Sequence, residues 1–177
     1  MSIPSHLIID TKGLNVETLL SDWKWLVSGQ FTPVAMNAFG DLFLSDSSGR
    51  IYFLDLMCGE FKQIAASKEE FESLCESKDQ NQSWFVGHLV MELRKLYGQL
   101  EIGQCFGCKV PLSLGGQLDP SNFERIDIEV HYSVLGQLHQ KTKHLPAGTK
   151  INSVKIEPAS DEKQNKSWWQ KIIGRNG

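Results

Sequence analysis

No apolar run in this chain approaches the roughly 20 residues that a membrane-crossing helix requires, so a bilayer-spanning role is excluded on length. The segment Met1 to Asp10 also shows no basic region followed by an apolar run and a small-residue cleavage site, and the cytoplasm is therefore the expected compartment. Cysteine is scarce: four residues (Cys58, Cys75, Cys105, Cys108) in 177 are too few for a disulfide framework, and reduced thiols are expected. Missing as well are a G-x-S-x-G elbow, a phosphate-binding loop, a dinucleotide-binding glycine pattern and an H-E-x-x-H pair. An enzyme hypothesis has no specific motif to stand on. No cofactor and no internal repeat are indicated.

What is present is an ordinary globular composition, 41% hydrophobic and 22% charged, in a chain long enough for one domain and short for two. Residues 1–157 are read as one domain and residues 158–177 as a polar linker with a short tail. The net charge of −3 is unevenly placed: from Gly40 to Asp79 there are nine acids against four bases, so the rest of the chain is slightly positive. A concentrated negative field repels nucleic acid and attracts basic proteins. Direct nucleic-acid binding is not expected.

The most informative stretch is Phe39 to Ala65. Its β-branched and aromatic runs, with Ile51, Tyr52, Phe53 and Leu54 at the centre, are separated by Asp46-Ser47-Ser48-Gly49 and Met57-Cys58-Gly59-Glu60, which hold turn-forming residues. An antiparallel meander follows, with a leading strand over 33–38. Before it, Asn15 is placed to cap a helix with Val16, Leu19, Leu20, Trp23 and Leu26 on one stripe, ending near Ser28-Gly29. After it, Ser67-Lys68-Glu69-Glu70 is a capping-box pattern ahead of Phe71, Leu74 and Cys75. A longer helix is predicted from about Ser83 to Tyr97, closed by Gly98.

Four glycines and two prolines between Glu101 and Pro120 leave room only for a strand near 105–110. Ile126, Ile128 and Val130 alternate with Asp127, Glu129 and His131 as in a half-buried strand, then Val134, Leu135 and Leu138 suit a helix to about His144. Where one yields to the other is not fixed by the pattern. Ile151, Val154 and Ile156 suggest a last strand. The fold class expected is α+β, an antiparallel sheet with helices packed mainly on one face.

Three groupings invite chemistry. Cys105-x-x-Cys108 has the spacing of a zinc thiolate pair, but it is one pair without partners at a finger or ribbon spacing, and two ordinary buried thiols are the plainer reading. Asp127, Glu129 and His131 on one strand face would bring two carboxylates and an imidazole to one substrate, against the plainer reading of a solvated polar face. His139 and His144 stand about 140° apart around a helix and are read as surface histidines. In the tail, Trp168, Trp169, Ile172 and Ile173 share one side of a short amphipathic helix, expected to dock on the domain itself, on a partner or weakly on a membrane, with no stable membrane association.

Several blocks together resemble a known family. Trp23-x-Trp25-Leu26, Phe39-Gly40-Asp41-Leu42-Phe43, the Asp-x-x-Gly turn at 46–49, Ile51 to Asp55 and Gly59-Glu60 are similar to the C-terminal domain of bacterial type VI secretion immunity proteins that neutralise a DNase effector. Downstream, Gly103-Gln104-Cys105-Phe106-Gly107, Lys109-Val110-Pro111 and Leu114-Gly115-Gly116 resemble its glycine-rich signature, and His131-Tyr132-Ser133 with Gly136-Gln137-Leu138-His139 its closing motif. Cys108 stands where the resemblance suggests an aromatic residue, which makes the thiol pair look incidental. The resemblance implies a cytoplasmic antitoxin that blocks a nuclease by binding it, without catalysis.

That implication agrees with the charge pattern, because a nuclease must be basic to hold phosphates. The expected contact residues are Asp41, Asp46, Asp55 and Glu60, with Tyr52 and Phe61 as apolar anchors. The rival readings are a general module for some other basic protein, and a small hydrolase using Asp127, Glu129 and His131. Sequence leaves the oligomeric state open.

Overall fold

The computed structural model describes residues 3–146 and 148–157. The expectations for the tail, Trp168 to Ile173, lie outside the described residues. Among the described residues no helix is long and apolar enough to cross a membrane.

Asn15 caps the first helix as its sequence predicts, its side chain accepting from the Thr18 amide at 3.1 Å. The helix α1 (Val16–Leu19) is only one turn long and tightens into a 3-10 turn over Leu20–Trp23. Trp23 and Trp25 reach different targets on a later helix, and this pulls the chain out of a regular continuation to Ser28. The meander then forms as expected: β1 (Thr32–Met36), β2 (Leu42–Ser45), β3 (Ile51–Asp55) and β4 (Glu60–Ala65) pair antiparallel in that order.

Alternation along these strands sends Leu42, Leu44 and Leu54 to one face and Phe43, Ile51 and Phe53 to the other. Both sets are buried. The α+β class stands, but the helices are spread more widely than a one-faced cover. The phenylalanine face packs on α2 (Lys68–Glu76), α3 (Lys78–Phe85) and α4 (Gly87–Tyr97) through Phe71, Trp84, Phe85, Val90 and Leu93. The leucine face packs on Trp23 and on α5 (Ile128–Thr142) through Tyr132, Leu135 and Leu138.

The capping box expected at α2 forms in part: Ser67 Oγ accepts from the Glu70 amide at 3.3 Å, but the Glu70 carboxylate takes the amide of Ala66, one residue before the cap, at 2.6 Å. The long helix predicted to Tyr97 is instead two helices. They meet at Val86, whose φ of 43° is left-handed and so ends α3. The kink lets Phe85 and Leu89 both turn inward.

β5 (Gln104–Cys108) and β6 (Phe123–Asp127) form a second antiparallel pair, joined to the meander by the Phe106 amide donating to Ala38 O at 2.9 Å. The strand expected to run through Val130 stops at Asp127. Its carboxylate accepts from the amides of Glu129 and Val130 at 2.9 and 3.1 Å and so starts α5 as an N-cap. Ile128, Val130 and their neighbours belong to a helix buried on several sides. The last strand predicted over 151–156 is absent as a strand: Val154 and Ile156 pack on the leucine-face core in irregular backbone, fixed by Gln137.

Candidate partner-binding surface

The meander turns fix where its acids stand. The β2–β3 turn holds Asp46 at one end of the sheet, while Asp55 and Glu60 flank the β3–β4 turn at the other, because successive hairpins reverse direction. The carboxylates of the expected patch are therefore divided between two ends. Asp46 is also occupied locally. It accepts from Ser48 Oγ at 2.8 Å and from the Arg50 amide at 3.0 Å, and pairs with the Arg50 guanidinium at 2.8 Å. Burial pushes its carboxyl up, but the hydrogen bonds from Ser48 and Arg50 win and hold it at about 2.

Asp41 is not a surface residue at all. It is 4% exposed, its Oδ1 accepting from the Leu56 amide and its Oδ2 from Asn37 Nδ2, both at 2.8 Å. Burial, and then the charge of Asp55, push its carboxyl up to about 7. A short acid following the Phe39-Gly40 turn is the group that satisfies the Leu56 amide, a role no charge count reveals. Asp55 and Glu60 keep surface positions: Asp55 accepts from the Cys58 amide at 2.8 Å, and Glu60 lies 3.6 Å from Lys62.

The two aromatic anchors do come together. Tyr52 and Phe61 stack with centroids 5.3 Å apart, and Phe31, which sequence reasoning passed over, meets both edge-on at the same separation. All three are half-buried at the β3–β4 side of the leucine face. Such amphipathic rings supply apolar contact area with little side-chain entropy to lose.

The residues singled out by the family resemblance lie mainly in the core and its turns. Phe39 packs on Phe123 at 5.7 Å, Gln104 accepts the Glu101 amide, and Gly103 O accepts from the Ile128 amide. A Cβ at Gly107 would stand 2.9 Å from the His131 ring, and one at Gly136 would stand 2.8 Å from Asp22 O. Gly40 faces Cys105 and His131, while Pro111 O accepts from Gly116, which with Gly115 closes the following turn.

His131 and His139, expected at the surface, are 4% and 7% exposed. The physical reason is that α5 is wrapped on several sides, so its polar positions also face protein. Burial pulls His131 down to about 4 against the hydrogen bond to the Phe39 backbone, and Nε2 has no hydrogen-bond partner among the described residues. Burial also lowers His139, whose Nε2 lies 2.9 Å from Leu56 O. His144 is exposed, as expected.

The shared strand face required by the hydrolase reading does not form. Asp127 is a helix cap, Glu129 is exposed in the first turn of α5, and His131 is buried. Nor do Cys105 and Cys108 cooperate: three residues apart on β5, they point to opposite faces, Cys105 into the leucine-face core and Cys108 toward the phenylalanine-face core. Burial raises both thiols, Cys108 to about 12, so neither is a ready thiolate. Among the described residues no three His, Cys, Asp or Glu side chains converge as a metal set.

Residues 65–139 match the family of the T6SS immunity protein Tdi1, C-terminal region. The match to this immunity family begins at the end of β4 and runs through the acidic helix α2 to His139. It covers the glycine-rich signature and the closing motif, while the meander up to Ile64 lies before it. The crystal structure of Atu4351 from Agrobacterium tumefaciens is similar at a TM-score of 0.49 and 18% identity, over 68% of this chain and 63% of that chain. This chain thus spans less than two thirds of that protein's length. No curated protein matches the sequence.

Proposed function

We propose that this chain is a cytoplasmic immunity protein that neutralises a type VI secretion effector by binding it, and that the effector is a basic nuclease. The observation that carries the reading is the match of residues 65–139 to the type VI immunity family. Two physical features support it. The acids of residues 55–76 outnumber the bases six to two, a field complementary to a phosphate-binding protein. The half-buried rings of Phe31, Tyr52 and Phe61 offer the apolar centre that a stable inhibitor interface of about 800 Å² per partner needs. The action is by occupation, with no catalysis and no cofactor.

The test is co-expression with a type VI nuclease effector, sought first among the neighbouring genes, where the proposal expects it. Cells carrying both are expected to survive and retain intact DNA, and the two proteins to co-purify through salt-sensitive association. An effector equally lethal with and without this chain removes the proposal.

A further inference from the structure

The four-stranded sheet has two edges, and the fold treats them differently. The β1 edge is closed off. Pro33 lacks an amide to offer, the register shifts between Pro33 and Ala35, and the N-terminal segment lies alongside. There the Ile9 amide donates to Met36 O at 2.9 Å and the Ala38 amide to Leu7 O at 3.1 Å. These are the devices by which sheets discourage pairing with other chains.

The β4 edge is protected less: it carries a register shift of its own, between Gln63 and Ala65, and an exposed lysine, Lys62. Its six residues Glu60–Ala65 contain no proline, and among the described residues no strand or loop pairs with its outer side. Glu60, Lys62 and Gln63 are exposed, while Ala65 is buried and its carbonyl accepts from Gln63 Nε2, so the open part of the edge is residues 60–63. Phe61 on the same strand extends into the half-buried stack with Tyr52 and Phe31. An incoming strand would gain backbone hydrogen bonds from the edge and an apolar contact from the rings.

Charge selects the occupant. α2 follows β4 directly and contacts it, and the segment 55–76 that contains this edge carries Asp55, Glu60, Glu69, Glu70, Glu72 and Glu76 against only two bases, Lys62 and Lys68. A second copy of this chain would bring the same excess of acids against itself, which disfavours edge-to-edge self-pairing. A segment bearing lysine or arginine would meet opposite charge.

We propose that β4 accepts an extended lysine- or arginine-bearing segment of the effector as a fifth strand of the sheet. This rests on the immunity reading above and adds to it the surface and the mode of recognition.

The experiment uses the full-length chain and the full-length effector that the co-expression test above identifies, with hydrogen exchange measured on the chain alone and in the complex. Amides within residues 60–65 are expected to exchange about tenfold more slowly in the complex. Proline is then placed at Lys62 and Gln63 in turn, with Lys62→Ala and Gln63→Ala as controls. Alternate amides point outward, so one proline removes an inward bond and lowers the melting temperature. The other is expected to leave folding intact and weaken effector binding about tenfold or more. A complex that forms with β4 exchange unchanged overturns the strand-addition proposal and leaves the immunity reading standing. Protection of β4 by self-association without effector overturns it too. If no complex forms, the immunity reading falls and this proposal with it.

Discussion

The imidazole of His139 sits against Gly59 so closely that a Cβ on that glycine would stand 2.6 Å from its Cγ and Nδ1. The other side of the same ring places Nε2 2.9 Å from Leu56 O. One residue of α5 thus contacts both ends of the β3–β4 turn, some 80 positions earlier in the chain. Gly59 also has a φ of 68°, a conformation that side chains other than glycine rarely adopt.

Gly59→Ala therefore carries two penalties, backbone strain and collision with a buried ring. A loss of about 3 kcal/mol in unfolding free energy is expected, large for a turn residue. Denaturant titration of the variant checks it. An alanine here that costs less than about 0.5 kcal/mol would mean that the ring moves freely and does not fix the turn.

Asp41 and His131 oppose each other in their effect on pH stability. Asp41 is raised from 3.8 to about 7 in the fold, so it binds a proton that the unfolded chain has lost, and its contribution is full below about pH 4 and gone as pH rises past 7. His131 is lowered from 6.5 to about 4, so its contribution is full above pH 6.5 and lost as pH falls toward 4. Between pH 4 and 6.5 the two slopes, each about 1.4 kcal/mol per pH unit at most, run in opposite directions. Above pH 6.5 only the Asp41 slope remains. Stability of the native protein should thus fall from pH 6.5 to 7.5, and Asp41→Asn should abolish that fall while uncovering a rise from pH 4.5 to 6.5. Urea titrations across this range decide it. A variant whose profile has the native shape would show that Asp41 does not titrate here.

How far the sequence reached is clearest in the meander. Turn-forming residues at 46–49 and 57–60 between β-branched and aromatic runs are local signals, and strand order followed from them. Capping by Asn15 and Ser67 was equally local. Burial of Asp41, His131 and His139 was not legible, because a polar side chain is interior only by virtue of partners 15 to 90 residues away that no spacing rule lists, such as Leu56 for both Asp41 and His139. The same holds for the end of β6. Ile126, Ile128 and Val130 fit an alternating strand and a buried helix alike, and only the capping by Asp127 separates the two. The division of the acids between two ends of the sheet, by contrast, follows from the reversal of direction at each hairpin and is a local property of the sequence.

Asn37 is the second residue that sequence reasoning missed, and it holds the β1–β2 connection together. Its Nδ2 donates to Asp41 Oδ2 at 2.8 Å and to Trp84 O at 2.7 Å, and its Oδ1 accepts the amides of Phe39 and Asp41 at 2.9 and 3.0 Å. All four contacts are buried, so truncation leaves donors and acceptors without partners. Asn37→Ala should cost about 4 kcal/mol, and Asn37→Asp a similar amount because it places a second carboxylate against Asp41. Thermal denaturation of both variants tests this. A melting temperature within about 2 °C of the native protein would show that the network is dispensable.

Gln137 makes the final prediction, which concerns local order more than global stability. Its Nε2 donates to Glu157 O at 2.9 Å and its Oε1 accepts the Glu157 amide at 2.8 Å, so one side-chain amide pairs with a backbone as a strand neighbour would. Nothing else among the described residues gives residues 151–157 a ladder, although Val154 and Ile156 rest on the core. Removing the clamp should free this segment while leaving the sheet and α5 intact, since the two bonds it makes to Glu157 belong to neither. Gln137→Ala is therefore expected to raise exchange of the Glu157 amide by about tenfold with a global cost near 1 kcal/mol, a separation that marks local opening. Gln137→Glu should behave almost as badly, because it keeps the acceptor for the Glu157 amide but loses the donor to its carbonyl. Equal exchange at Glu157 in native and Gln137→Ala proteins would assign the anchoring to Val154, Ile156 and the hydrogen bond from Lys141 Nζ to Lys155 O.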